Sequence, residues 1–148
     1  MQDAQRGFGK IADAGGYTQG VFEIEVGHQF SAAHAVSIGG VMEEIHGHNW
    51  VVRVAIRGES LDSEDLLVDF HAIEAVLKAS LFPFEGRTMN GIPPFDRLMP
   101  TAERLAELVG SQVGQGLAEG CSIAWVSVEE APGCIARWYP PMGGSETR

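Results

Sequence analysis

His46-Gly47-His48-Asn49-Trp50-Val51-Val52-Arg53-Val54-Ala55-Ile56-Arg57-Gly58 is the stretch on which the fold turns. His46, His48, Trp50, Val52, Val54 and Ile56 fall on one parity, and Asn49, Arg53 and Arg57 on the other. Side chains of a strand alternate between its faces, so the stretch reads as one strand with an apolar side and a polar side. Upstream, residues 21–34 repeat the pattern: Phe22, Ile24, Val26, His28, Phe30, Ala32 and His34 against Glu23, Glu25 and Gln29. Downstream the period changes. Residues 69–81 carry Phe70, Ile73, Val76, Leu77 and Leu81 at helical spacing behind a capping Asp69. After a Pro/Gly-rich loop over 82–100, Thr101 caps a second helix with the stripe Leu105, Leu108, Val109, Val113 and Leu117. Residues 122–130 and 134–139 make a closing hairpin that turns at Pro132-Gly133. The order ββααββ predicts an α+β fold, an antiparallel four-stranded sheet with two helices on one face.

The chain of 148 residues has room for one core, and 45% hydrophobic with 20% charged residues is a globular balance. Ten Lys and Arg against twenty Asp and Glu give a net charge of −10, which repels phosphate backbones and argues against nucleic-acid partners. No apolar run approaches the ~20 residues that cross a bilayer, so no membrane partner is expected. Residues 1–20 are Gly-rich and lack a signal-type apolar block, which reads as a flexible N-terminal arm on a cytoplasmic protein. Residues 21–139 are the folded domain and 140–148 a polar, breaker-rich tail. Cys134 lies by the turn and Cys121 far along the preceding strand, so two free thiols are expected.

The chemistry centres on His46-Gly47-His48. Residues i and i+2 of a strand share a face, so both imidazoles reach one ion, and neutral imidazole suits Zn²⁺. An isolated H-x-H is weak evidence. His34 strengthens it, because it ends the preceding strand on the same parity, and the end of one strand adjoins the start of the next in an up-and-down pair. Three His ligands leave a tetrahedral ion one open position, the catalytic pattern. Two other H-x-H settings fail: a cupin needs a Glu where Val52 and Arg53 stand, and a metallo-β-lactamase motif needs Asp at Trp50. His28 is six residues of extended chain from His34, roughly 20 Å, too far to share the ion. His71 reads as a surface residue of the first helix.

Phe30-Ser31-Ala32-Ala33-His34, His46-Gly47-His48-Asn49-Trp50, Val68-Asp69-Phe70, Pro100-Thr101-Ala102-Glu103 and Val126-Ser127-Val128-Glu129-Glu130 stand in fixed order. Together they resemble the signature of the 6-pyruvoyltetrahydropterin synthase / 6-carboxytetrahydropterin synthase family over about residues 21–139. The resemblance implies a T-fold and a homo-oligomer, typically a hexamer, with sites at subunit interfaces. It also implies a zinc on His34, His46 and His48, and a dihydropterin substrate such as 7,8-dihydroneopterin triphosphate. Carried over, Glu130 is the pterin-anchoring carboxylate. It continues the inward parity of Ala124, Val126 and Val128, and a ring N–H beside an exocyclic NH₂ offers it two parallel donors. Thr101 is a further pterin contact, beside its role as helix cap.

The sequence then departs from the family pattern. The proton-transferring Cys expected four residues before His46 is Met42, and the relay Asp-His falls at Glu85-Gly86. A thioether has no proton to exchange. Glu43, in Glu43-Glu44-Ile45-His46-Gly47-His48, resembles a subgroup whose Glu replaces the Cys and cleaves the side chain to 6-hydroxymethyldihydropterin. The expectation is therefore a zinc-dependent pterin lyase with Glu43 as base. The alternative is a pterin- or purine-binding T-fold protein that kept the zinc site without catalysis.

Overall fold

The computed structural model describes residues 20–142; residues 1–19 and 143–148, which hold most of the expected arm and tail, lie outside the described residues. Its elements are β1 (Phe22–His34), β2 (Ser37–Ile38), β3 (Val41–Met42), β4 (His46–Gly58), α1 (Phe70–Leu81), a 3₁₀ turn (Phe82–Phe84), α2 (Ala102–Gln115), β5 (Cys121–Ala131) and β6 (Cys134–Trp138). The main sheet runs β1-β4-β5-β6, antiparallel throughout. β1 and β4 pair without a break from Phe22↔Gly58 to His34↔His46. α1 packs on β1 and on α2, and α2 covers β5 and β6, so both helices lie on one face.

The alternation read from the sequence is the packing. Trp50, Val52, Val54 and Ile56 are fully buried beneath the helices, where they meet Leu77 and Leu81 of α1 and Leu105, Val109 and Val113 of α2. Trp50 Nε1–H donates to the Ala32 carbonyl at 3.1 Å, so its one polar atom is satisfied inside the core. Asp69 and Thr101 cap the helices as expected, accepting from His71 N–H and Arg104 N–H. Cys121 and Cys134 are free thiols.

Three features differ from the sequence reading. A small hairpin, β2–β3, stands between β1 and β4, with Ser37↔Met42 and Ile38↔Val41 paired and the turn on Gly39 and Gly40 at φ +60° and +83°. Gly-Gly is a hairpin turn signal, but two-residue strands are too short to alternate visibly. The α1 stripe is narrower than its spacing suggested: Ile73, Leu77 and Leu81 are buried, whereas Phe70 and Val76 are exposed. The 82–100 segment is more than a loop, since Gly86 N–H donates to Ser31 O, Ala33 N–H to Arg87 O and Met89 N–H to Ala33 O, a short parallel ladder along the outer edge of β1. Two β-bulges bend β5. One, at Ala55/Ile56 of β4, lets Ile123 face inward ahead of Val126 and Val128; the other, between Glu129 and Ala131, leaves Glu130 as the extra residue opposite β6.

Candidate metal centre

The β1–β4 register puts His34 directly opposite His46, and His48 follows two residues along on the same face. The three rings meet edge-on, with centroids 4.8 Å apart for His34–His46, 5.2 Å for His34–His48 and 4.8 Å for His46–His48. Trp50 forms the floor, edge-on to His34 at 4.8 Å and to His48 at 5.5 Å. Glu130 closes the group, so that one donor atom from each of His34, His46, His48 and Glu130 lies within 4.8 Å of every other. Glu130 follows the Val51↔Glu129 pair of β4 and β5, which sets it beside the imidazole face.

Backbone carbonyls set the ring tautomers. His34 Nδ1–H donates to Pro100 O and His46 Nδ1–H to Glu44 O, both at 2.8 Å, which leaves the Nε2 lone pairs free. The Nε2 atoms of His34 and His48 are buried and make no hydrogen bond. Glu130 Oε1 stands 3.2 Å from each, within ion-pair reach but without forming a hydrogen bond. Two nitrogen lone pairs and a carboxylate oxygen are all acceptors, and such a group is stable only with a proton or a cation among them. Burial lowers the His48 pKa below its ordinary 6.5; the charge of Glu130 opposes this, and His34 and His46 add to it. The neutral imidazole so favoured is the form that binds a metal. Three imidazoles and a carboxylate fit Zn²⁺.

The structure thus brings together the expected triad, and Glu130 stands beside it on the same face. Glu43 lies outside the four-residue group, half-buried at the end of the β2–β3 hairpin, where Val36 N–H points at its Oε2 from 3.4 Å. Its charge nonetheless reaches His48, where it joins Glu130 in opposing the net lowering of the pKa. Thr101 adjoins Pro100, the residue that holds His34, and its Oγ1 accepts the Arg104 N–H at 3.2 Å. Met42 is exposed on β3 and Glu85 on the 82–100 segment. His28 is half-buried and outside the group; His71 is exposed beside Asp69. Of the scattered arginines, Arg53, Arg97 and Arg104 face Glu25, Asp96 and Glu107 as surface ion pairs. Clefts of about 420 and 410 Å³ flank His48, one toward Ser31, Arg87 and Thr88, the other toward Glu129 and Glu130. Pro100 stands in the Pro100-Thr101-Ala102-Glu103 motif, but nothing in the pattern marked its carbonyl as the partner of His34, because any residue carries one.

An antiparallel sheet under two helices, with three imidazoles converging at one end of β1 and β4, defines a T-fold with a metal-type donor cluster. Residues 23–141 match the profile of the 6-pyruvoyl tetrahydropterin synthase family, and the chain belongs to it. It is 26% identical over 132 residues to the 6-carboxy-5,6,7,8-tetrahydropterin synthase of Bacillus subtilis, covering 83% of this chain and 88% of that protein. Among solved structures it is similar to the 6-pyruvoyl tetrahydropterin synthase of Caenorhabditis elegans, with a TM-score of 0.71, 19% identity, and 84% and 99% of the two chains covered. It is also similar to the Plasmodium vivax 6-pyruvoyltetrahydropterin synthase in a form in which a catalytic glutamate is replaced by alanine, with a TM-score of 0.66, 16% identity, and 83% and 99% covered. Among the described residues no helix is long and apolar enough to cross a membrane.

Proposed function

We propose that the protein is a zinc-dependent lyase acting on the C6 side chain of a dihydropterin, 7,8-dihydroneopterin or its triphosphate. The carrying observation is the set of unpartnered, buried Nε2 atoms of His34 and His48 facing Glu130, a donor arrangement incomplete without a cation. His34, His46 and His48 would hold the ion. When bound, zinc supplies Lewis acidity to side-chain hydroxyl groups. Pro100 and Glu44 fix the rings that hold it, and Trp50 keeps water from the buried side of the centre.

Glu130, beside the imidazoles, holds the substrate hydroxyls by accepting their protons in hydrogen bonds and orients the side chain. Glu43 is the proton acceptor. In the cleavage we favour, it takes the proton of the hydroxyl on the second side-chain carbon. That oxygen becomes an aldehyde carbonyl, and the bond between the first and second carbons breaks. Its electron pair passes to the first carbon, which stays conjugated with the pterin and is then protonated, giving 6-hydroxymethyldihydropterin. Met42 in place of a thiol disfavours the pyruvoyl-forming reaction, whose proton movements need an exchangeable group there. The catalytic glutamate of the Plasmodium vivax protein supports a carboxylate as base. We read the working unit as a homo-oligomer, a hexamer by family resemblance, whose neighbouring subunits complete the clefts beside His48.

Met42 and Glu85-Gly86, where a thiol and a relay His would stand, favour a second reading: a pterin- or purine-binding protein without turnover. Incubation of the zinc-loaded protein with dihydroneopterin and its triphosphate, followed by mass spectrometry, separates the two. Product formation that Glu43→Gln abolishes supports the lyase. Retained ligand without product supports the binder, and protein that takes up no zinc overturns both.

A further inference from the structure

The ladder along the outer edge of β1 ends on a side chain. Asn90 Oδ1 accepts the Ala35 N–H at 2.9 Å, and Asn90 Nδ2 donates to the Ala35 carbonyl at 2.8 Å. A side-chain amide that satisfies both backbone groups of one residue does the work of a neighbouring strand. Ala35 needs it, because β1 stops pairing with β4 at His34↔His46 while Ala35 is still buried. Without Asn90, the backbone just after His34 would have a donor and an acceptor unpaired in a partly buried place, and it would move to find water.

We infer that Asn90 is a positioning residue for the metal ligand His34, an inference that rests on the metal-centre reading above. The same 82–100 segment holds His34 twice: Asn90 clamps the backbone one residue on, and the Pro100 carbonyl holds the ring at Nδ1. His34 is only 1% exposed, its Nε2 aims into the cluster, and metal–ligand distances tolerate about 0.2 Å. A small slide of the strand end therefore moves a donor atom out of range. Partners of this outer kind commonly change metal affinity by about 10- to 100-fold.

The test uses the full chain, stripped of metal and titrated with Co²⁺, whose visible band reports ligand geometry, and then with Zn²⁺ in competition. Asn90→Ala removes both bonds. Asn90→Asp keeps the shape and the Ala35 N–H acceptor but sets an oxygen against the Ala35 carbonyl, so it serves where the alanine variant folds poorly. Both are expected to bind at least about tenfold more weakly and to shift the Co²⁺ band. Val109→Ala, a core truncation in α2, is expected to lower the melting temperature while leaving band and affinity as in the parent protein. Parental affinity and band in both Asn90 variants, or equal weakening by Val109→Ala, overturns the inference. A parent chain that takes up no metal overturns the functional reading itself.

Discussion

Removing the metal is expected to leave the fold standing while lowering its melting point by about 8–16 °C. Ten core side chains (Trp50, Val52, Val54, Ile56, Leu77, Leu81, Leu105, Val109, Val126 and Val128) are at most 1% exposed. The imidazoles sit at one end of this core and are no part of its aliphatic packing. A ligand that binds only the native state stabilises it by about 4.1 kcal/mol at a thousandfold excess over its dissociation constant. For a chain of this size each kcal/mol moves the midpoint by about 2–4 °C, which gives the range stated. The assay is thermal unfolding by circular dichroism of the parent protein and His46→Ala, each with chelator and with zinc. His46 is half-exposed and its ring bond to Glu44 is local, so the metal-free variant should melt close to the metal-free parent and lose most of the zinc response. A chelated parent protein without native helix signal would refute this, because the metal would then be building the fold. A full zinc response in His46→Ala would refute the ligand assignment.

Acid should weaken the metal-free protein through His48. Its native pKa is below the ordinary 6.5, so as pH falls through 6.5 the unfolded chain takes up the proton first and stability drops until the native pKa is passed. Melting between pH 8 and pH 5 in the parent and in His48→Asn checks this, and an equal slope in both would count against it. Glu130→Gln removes a charge beside two Nε2 atoms; zinc affinity measured by competition should fall, whereas a lone surface carboxylate would leave it unchanged. Gly110→Ala should destabilise, since a Cβ there would stand 2.2 Å from the Trp138 ring. About 1–3 kcal/mol of overpacking outweighs the ~1 kcal/mol gained in helix propensity. Urea unfolding of Gly110→Ala with and without Trp138→Leu checks it: the smaller side chain should cancel most of the loss.

The fold was legible wherever alternation or helical spacing ran long enough to show. β1 and β4 are thirteen residues each, and their parity predicted both the buried face and the pairing that sets His34 against His46. β2 and β3, at two residues each, carried no period, and only Gly39-Gly40 marked the turn between them. The ladder over residues 86–89 was hidden for another reason. Its bonds are between backbone atoms, and a segment with glycine and proline at intervals gives no side-chain rhythm to betray an edge strand. The roles of Asn90 and of the Pro100 carbonyl escaped for the same cause, because each of their bonds has a main-chain group on one side.

Glu130 shows what a parity argument fixes and what it leaves open. Its alternation with Ala124, Val126 and Val128 pointed it inward, and inward it is. Parity fixes the face, but the position along that face depends on register, and register near a hairpin depends on bulges that the sequence does not spell out. β4 and β5 pair Val51 with Glu129, so Glu130 falls one residue past that pair, on the face that carries His48 and Trp50. There its carboxylate comes to 3.2 Å from two imidazoles. Alternation along β5 could give the face, but only the pairing of β5 with β4 gives the distance, and that pairing joins residues about 78 apart in sequence.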